Sequence, residues 1–336
     1  MYVGTQIPAR NDTDFEQWAQ LGVTNVSSDP PGIASSWTRD DLARHREKLE
    51  SYGITLDMVQ IPLSSALVPD EFNAPNIILA NDPERDREIE IVQNIIRWCG
   101  EVGIPSARYN LYIIGIPRTE REPGRGGSSN DTFRWAKIDQ NAPPTVAGIV
   151  DENEYWERID YFLERVVPVA EESKVRIACH PHDPYTPDGF MGVKRVMGTV
   201  DGLKKFVQMH ESPYHGLNFC QGTVTEMLDD PGEEIADVIR WFGSREKIFN
   251  VHFRNIRGHK LDFMESFPDE GSIDFAEIIK VYQEVGYKYM LMPDHVPWIS
   301  GDDRMGTAFA FCYGYITALL QSIGEPRRQA WVTKGP

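Results

Sequence analysis

Four apolar runs in the second half of the chain end on side chains that bind metal ions. "KVRIACHPHDP" delivers His180, "GLNFCQGT" Cys220, "IFNVHFRN" His252 and "YMLMPDHVP" Asp294. Two imidazoles, a thiolate and a carboxylate are donor types of a divalent-metal site, and four such ligands leave room for a water or substrate oxygen. Singly, each has an ordinary explanation. A histidine at a strand end is commonly a structural hydrogen-bonding group, a lone cysteine a small buried hydrophobe, and an aspartate before His295 a turn or helix cap. The information lies in the shared position, at the end of an apolar run four times in succession.

Those runs belong to a longer alternation. Strand candidates are Tyr2–Gly4, "GVTNV" at 22–26, "ITLDMV" at 54–59, "SARYNLY" at 106–112, "KVRIAC" at 174–179, "GLNFC" at 216–220, "KIFNVHF" at 247–253 and "YMLM" at 289–292. Between them Ile89, Val92, Ile96 and Cys99, and then Trp156, Ile159, Leu163, Val166 and Val167, recur at helical spacing. Further helices are expected near 13–20, 39–52, 200–210, 232–242, 273–285 and 306–322. Eight strands alternating with helices predict a (β/α)₈ TIM barrel, an α/β fold whose active sites form where strands end. A doubly wound open sheet is the competing arrangement. The Gly-x-Gly-x-x-Gly turn that would favour it does not follow the first strand. The stretch from 114 to 150, dense in glycine, proline and polar residues, is expected to be a long active-site loop or lid after strand 4. Residues 1–325 are read as one barrel domain and 326–336 as a C-terminal tail.

Composition narrows the partners. The 336 residues include 34 Lys and Arg against 51 Asp and Glu, a formal charge of −17, which on average repels nucleic acid and anionic membrane. No apolar run approaches the ~18 residues of a membrane span, and the N-terminus "MYVGTQIPARNDTDF" has no secretory pattern. Four cysteines, Cys99, Cys179, Cys220 and Cys312, do not call for a disulfide framework. A cytoplasmic protein acting on a small molecule, with neither nucleic acid nor membrane as partner, is the expectation.

The ordered set His180-Pro181-His182-Asp183-Pro184, Phe219-Cys220-Gln221-Gly222, His252-Phe253-Arg254-Asn255 and Pro293-Asp294-His295 resembles the mannonate dehydratases. Weaker similarity extends over about residues 75–320. The resemblance implies a xylose isomerase-like TIM barrel, a homo-oligomer, and a divalent ion, usually Mn²⁺, held by His180, Cys220, His252 and Asp294. Softness alone would favour zinc or iron, and Fe²⁺, Co²⁺, Ni²⁺ and Zn²⁺ are all compatible with these donors. The implied reaction removes water from a sugar acid such as D-mannonate to give a 2-keto-3-deoxy acid. The implied acid/base residue is His295, which could otherwise orient Asp294. Tyr313 is the candidate for the family's catalytic tyrosine, with Thr307 and Tyr315 as other alignments. Substrate contacts fall to Arg254, His182, Asp183 and Asn110, with Arg118 and Arg195 as further arginines.

The sequence also departs from the family pattern. His182 stands where the family has an acidic residue, Met292 where an arginine commonly precedes Pro-Asp-His, and Val296 where glycine follows. Arginine is the natural bidentate partner of a carboxylate, so the substrate pocket is expected to be altered. A metal-dependent isomerase or epimerase, or a non-catalytic carbohydrate-binding barrel, are the alternative functions. Fold alone does not choose among them.

Overall fold

The computed structural model describes residues 1–66, 74–302, 306–326 and 328. Eight parallel strands close a barrel: β1 (Tyr2–Thr5), β2 (Asn25–Ser27), β3 (Thr55–Gln60), β4 (Ser106–Tyr109), β7 (Arg176–Cys179), β8 (His215–Cys220), β9 (Ile248–His252) and β12 (Met290–Met292). They follow the chain in order around the barrel, and β12 closes it against β1. Each expected strand is present, with ends displaced by at most three residues. The tail predicted for 326–336 lies mostly outside the described residues.

The connecting helices are α1 (Asp12–Gln20), α2 (Arg39–Ser51), α3 (Pro75–Leu79), α4 (Glu84–Val102), α5 (Glu152–Ser173), α6 (Val200–Gln208), α7 (Gln221–Thr225), α8 (Pro231–Gly243), α9 (Phe275–Glu284) and α10 (Gly306–Ser322). Their starts are written locally. Thr38 and Asp41 form a reciprocal capping box on α2, and Asn11, Asp151, Thr199 and Asp274 cap α1, α5, α6 and α9. α4 stops at Gly103, whose φ of +77° suits a residue without a Cβ. No helix among the described residues is long and apolar enough to cross a membrane.

Side chains alternate between two cores, as strand geometry requires. Those of Tyr2, Met58, Ala178, Phe249, Met290 and Met292 gather in one cluster, which fills the barrel interior. Their neighbours along the strands, such as Val3, Val59, Ile177 and Leu291, join the helices in the larger outer core. Register then aligns the mouth, where Cys220 pairs with His252, and His252 with Met292.

The segment from 114 to 150 is not a simple loop. It contains β5 (Thr119–Pro123) and β6 (Ser129–Arg134), which join β10 (Asn255–His259) and β11 (Asp262–Ser266) in an antiparallel sheet of order β10-β11-β6-β5. The excursion after the fourth barrel strand is thus zipped to the excursion after the seventh, with Phe263 opposite Phe133. Phe133, Ile256 and Phe263 form its small core. Ser129 also bridges to Trp298, so the sheet reaches the segment after β12.

Candidate metal centre and active site

β7, β8, β9 and β12 bring His180, Cys220, His252 and Asp294 together, with one donor atom of each within 4.8 Å of all the others. Asp294 Oδ2 lies 3.3 Å from His252 Nδ1 and 3.8 Å from Cys220 Sγ. The His180 and His252 rings are 5.1 Å apart. Gln6, following β1, donates from Nε2 to the other oxygen of Asp294 at 2.5 Å.

The surrounding groups leave lone pairs where a cation would need them. His180 Nδ1 is 2.7 Å from the Pro181 carbonyl, which makes it the protonated nitrogen and leaves Nε2 as a donor to metal. His252 Nε2 meets the Asn218 amide at 3.2 Å, and Asn218 meets Asn250 at 2.7 Å. With both amides turned over, the same atomic framework lets Nε2–H donate to Asn218 and frees Nδ1. That Nδ1 is buried without a hydrogen-bond partner. Four convergent donors and an orphaned nitrogen fit a divalent ion.

Electrostatics prepares the thiol. Burial opposes its ionisation, but Arg254 and then His252 outweigh burial and hold Cys220 below its ordinary pKa. Arg254 Nε points at Sγ from 3.3 Å, and the Thr223 backbone N–H donates to Sγ at 3.5 Å. Glycine at 222 is required, because a Cβ there would stand 2.5 Å from the Arg254 side chain. Burial also disfavours the Asp294 carboxylate, yet His295, His252 and Arg254 keep it well below the usual range.

Arg254 is buried and fully engaged. Nη1 donates to Glu226 (2.8 Å) and Glu265 (2.6 Å), and Nη2 to Asp183 (2.8 Å) and Thr223 (3.0 Å). With Nε on Cys220, its five N–H groups are all used. The sequence-based role of Arg254 and Asp183 as substrate contacts is therefore not what this arrangement provides, since each is locked to the other within the protein. Arg118, leading into β5, pairs with the other side of Asp183 at 2.7 Å and with Glu265 at 3.0 Å. Burial and the neighbouring Asp183 hold Glu226 well above the carboxylate range, as a neutral acid.

His295 stands beside this network with 30% of its side chain exposed. Nδ1 bonds Glu265 at 2.9 Å, and Nε2 lies 3.7 Å from Asp294. Burial alone would lower its pKa, but Asp294 and then Glu265 push it up to about 10, so the ring is an imidazolium. Glu265 comes from β11, in the small sheet. Sequence reasoning did not single it out, although alternation in "LDFMESF" beside Gly258 was a usable hairpin signal.

The remaining predicted residues lie elsewhere. His182 is wholly buried, with Nε2 3.0 Å from the Leu111 carbonyl and its ring against Tyr112 and Tyr155, and burial holds it neutral. It is a packed structural histidine. Asn110 meets Gln60 rather than the four ligands. The Tyr313 hydroxyl bonds Thr5 Oγ1 at 2.6 Å, one residue from Gln6, and burial raises its pKa. Arg195 donates to the backbone carbonyls of Pro184, Ile114 and Gly115, a purely structural position.

The closed parallel barrel has the fold of the xylose isomerase-like TIM barrels, and several solved structures share that fold. A D-tagatose 3-epimerase-like protein superposes with a TM-score of 0.60 at 17% identity over 96% of this chain and 100% of its own. The mannonate dehydratase of Streptococcus suis serotype 2 superposes at 0.81, with 21% identity over 100% of this chain and 99% of its own. The D-mannonate dehydratase (UxuA) family model matches residues 145–325, and the chain belongs to that family. It is 28% identical to the mannonate dehydratase of Endomicrobium trichonymphae over 294 residues, covering 77% of this chain and 76% of that protein. Against the mannonate dehydratase of Thermotoga petrophila it is 26% identical over 364 aligned residues, covering 95% and 97%.

Proposed function

We propose that the protein is a metal-dependent hydro-lyase that removes water from a sugar acid of the mannonate type to give a 2-keto-3-deoxy acid. The observation that carries this reading is the meeting of four donor atoms within 4.8 Å, beside an imidazolium anchored on a buried carboxylate, in a chain of this family. His180, Cys220, His252 and Asp294 would hold the ion, for which manganese is the expected choice. Such an ion supplies positive charge beside the substrate's oxygens and so acidifies the C2 hydrogen.

The chain's own residues account for the second proton. Loss of water requires a base to take the proton from C2 and a separate acid to deliver one to the C3 oxygen as its bond to carbon breaks; the enol that results becomes the ketone. His295 carries a proton on each ring nitrogen and is held by Nδ1 on Glu265, so Nε2–H is the donor for the departing hydroxyl. Arg254 fixes Glu265 and Cys220 together, which holds acid and ligand in constant relation.

Met292 motivates a second reading, because it places a buried apolar side chain at the barrel's inner face. Proton transfer without water loss would make the protein an epimerase or isomerase. Incubating purified protein with a panel of aldonates, uronates and ketoses in D₂O separates the two. The expected product is a keto-deoxy acid, with one divalent ion per chain and its loss in Cys220→Ala and His252→Ala. Those variants should lose activity by on the order of 1,000-fold. Full metal occupancy in both rejects the centre, and deuterium exchange without dehydration selects the second reading.

A further inference from the structure

Tyr109 at the end of β4 packs outward on Phe162 of α5, with ring centroids 5.5 Å apart. Arg108, one residue earlier, therefore points the opposite way, into the barrel. Its Nε donates to Ser27 Oγ at the end of β2, at 2.9 Å. Among the described residues nothing else hydrogen-bonds or pairs with this guanidinium, and both Nη groups stay free for a ligand. Asp29 and Asp294 are the carboxylates close enough to act on its charge.

Arg108 lines a cavity of about 690 Å³ whose wall also carries Gln6, the hydrogen-bond partner of Asp294. That is ample for a six-carbon acid, since small-molecule sites commonly span about 300–1,000 Å³. Other cations on its wall are already compensated: Arg10 by Asp14, Arg44 by Asp41 and Lys48 by Asp12. Gln6 links the cavity to the ligands. It donates to Asp294 from Nε2, and its Oε1 is buried without a partner. Across the barrel, β12 contributes only the thioethers of Met290 and Met292 to the interior.

We propose that Arg108 is the anion anchor of the substrate, its free Nη edge receiving the carboxylate of the sugar acid while Gln6 faces the substrate between that anchor and the metal group. This rests on the sugar-acid reading above. A guanidinium presents two parallel donors to a carboxylate, which a thioether cannot do and an ammonium does only as a point charge.

The test compares an aldonate with its neutral aldonamide, titrated calorimetrically into the manganese-loaded full chain, and measures KM and kcat for whichever aldonate is turned over. Wild type should prefer the aldonate. Arg108→Met should bind the aldonate roughly 10- to 100-fold more weakly, bind the aldonamide as before, and keep its metal. The corresponding kinetic change is a raised KM. Arg108→Lys should recover part of the preference; if the methionine variant does not fold, the lysine variant carries the test through its own loss of preference. An unchanged preference in the folded variants, an equal loss for both ligands, or no aldonate binding by wild type overturns the anchor. An Arg108-dependent preference without turnover rejects the dehydratase reading alone, and turnover with an Arg108-independent preference rejects the anchor alone.

Discussion

Arg254 and Arg108 both extend from the mouth-facing ends of barrel strands, and they do opposite things there. On the side built by β7, β8, β9 and β12, Arg254 is 2% exposed and uses every N–H on Asp183, Glu226, Glu265, Thr223 and Cys220. On the side built by β1 to β4, Arg108 makes one hydrogen bond and faces a cavity. The same side chain thus serves to hold fixed groups in one half and to leave donors open in the other. Chemistry requires reacting groups that do not move, whereas recognition requires a charge that the protein has not already neutralised.

The sharpest way to break this contrast is Arg254→Met. It strips three buried carboxyl groups and a thiolate of their shared cation. Urea denaturation should show a loss of about 3–5 kcal/mol, and metal affinity should fall roughly 10- to 100-fold. A variant as stable and as well metallated as wild type would show that the network is not what holds this half in place.

Glu265→Gln sharpens it within the rigid half, because the change keeps shape and removes charge. With the acid no longer anchored by a carboxylate, kcat should drop by roughly 10- to 100-fold while KM and metal content change little. A raised KM with kcat intact would instead move Glu265 to the recognising half.

The smallest expected effect comes from outside the mouth. His215, at the start of β8, is wholly buried, donates from Nε2 to the Phe206 carbonyl at 3.0 Å, and burial lowers its pKa to about 4. The unfolded chain, with an ordinary pKa near 6.5, binds this proton more readily. The corresponding stability is complete above pH 6.5 and is lost as pH falls towards 4. Between pH 6.5 and 5 the loss is about 2 kcal/mol, and His215→Phe should flatten that part of the acid limb in denaturation curves while leaving activity at neutral pH unchanged. A limb of undiminished slope would assign the acid sensitivity to other groups.

The eight strands and the meeting of His180, Cys220, His252 and Asp294 could be read directly because both are local patterns multiplied by a closed geometry. An apolar run ending on His180 or Cys220 needs only the barrel to place it beside the others. β5 and β6 could not be read that way. Thr119–Pro123 is polar and mostly exposed, and its order comes from pairing with β6, which in turn pairs with β11 far along the chain. For the same reason Arg254 looked like a substrate contact, since its adjacency to His252 is visible in one dimension and its saturation by Glu226 and Glu265 is not. His182 shows the converse, a histidine in a chemically suggestive motif whose neighbours Tyr155 and Leu111 make it part of the packing. Arg108 did carry a signal, a lone charge inside "SARYNL", but its meaning depends on which way the strand faces.

The small sheet has a consequence for how the molecule comes into being. Glu265 reaches His295 only from β11, and β11 is anchored by β6, which belongs to the excursion on the opposite side of the barrel. Pairing between segments so remote in the chain is slow, because the entropy of closing the intervening loop is lost before any contact compensates it. A chain in which that pairing had not formed would leave His295 without its carboxylate neighbour. Damage confined to β6 would thus disturb the surroundings of His295 without touching any strand of the barrel.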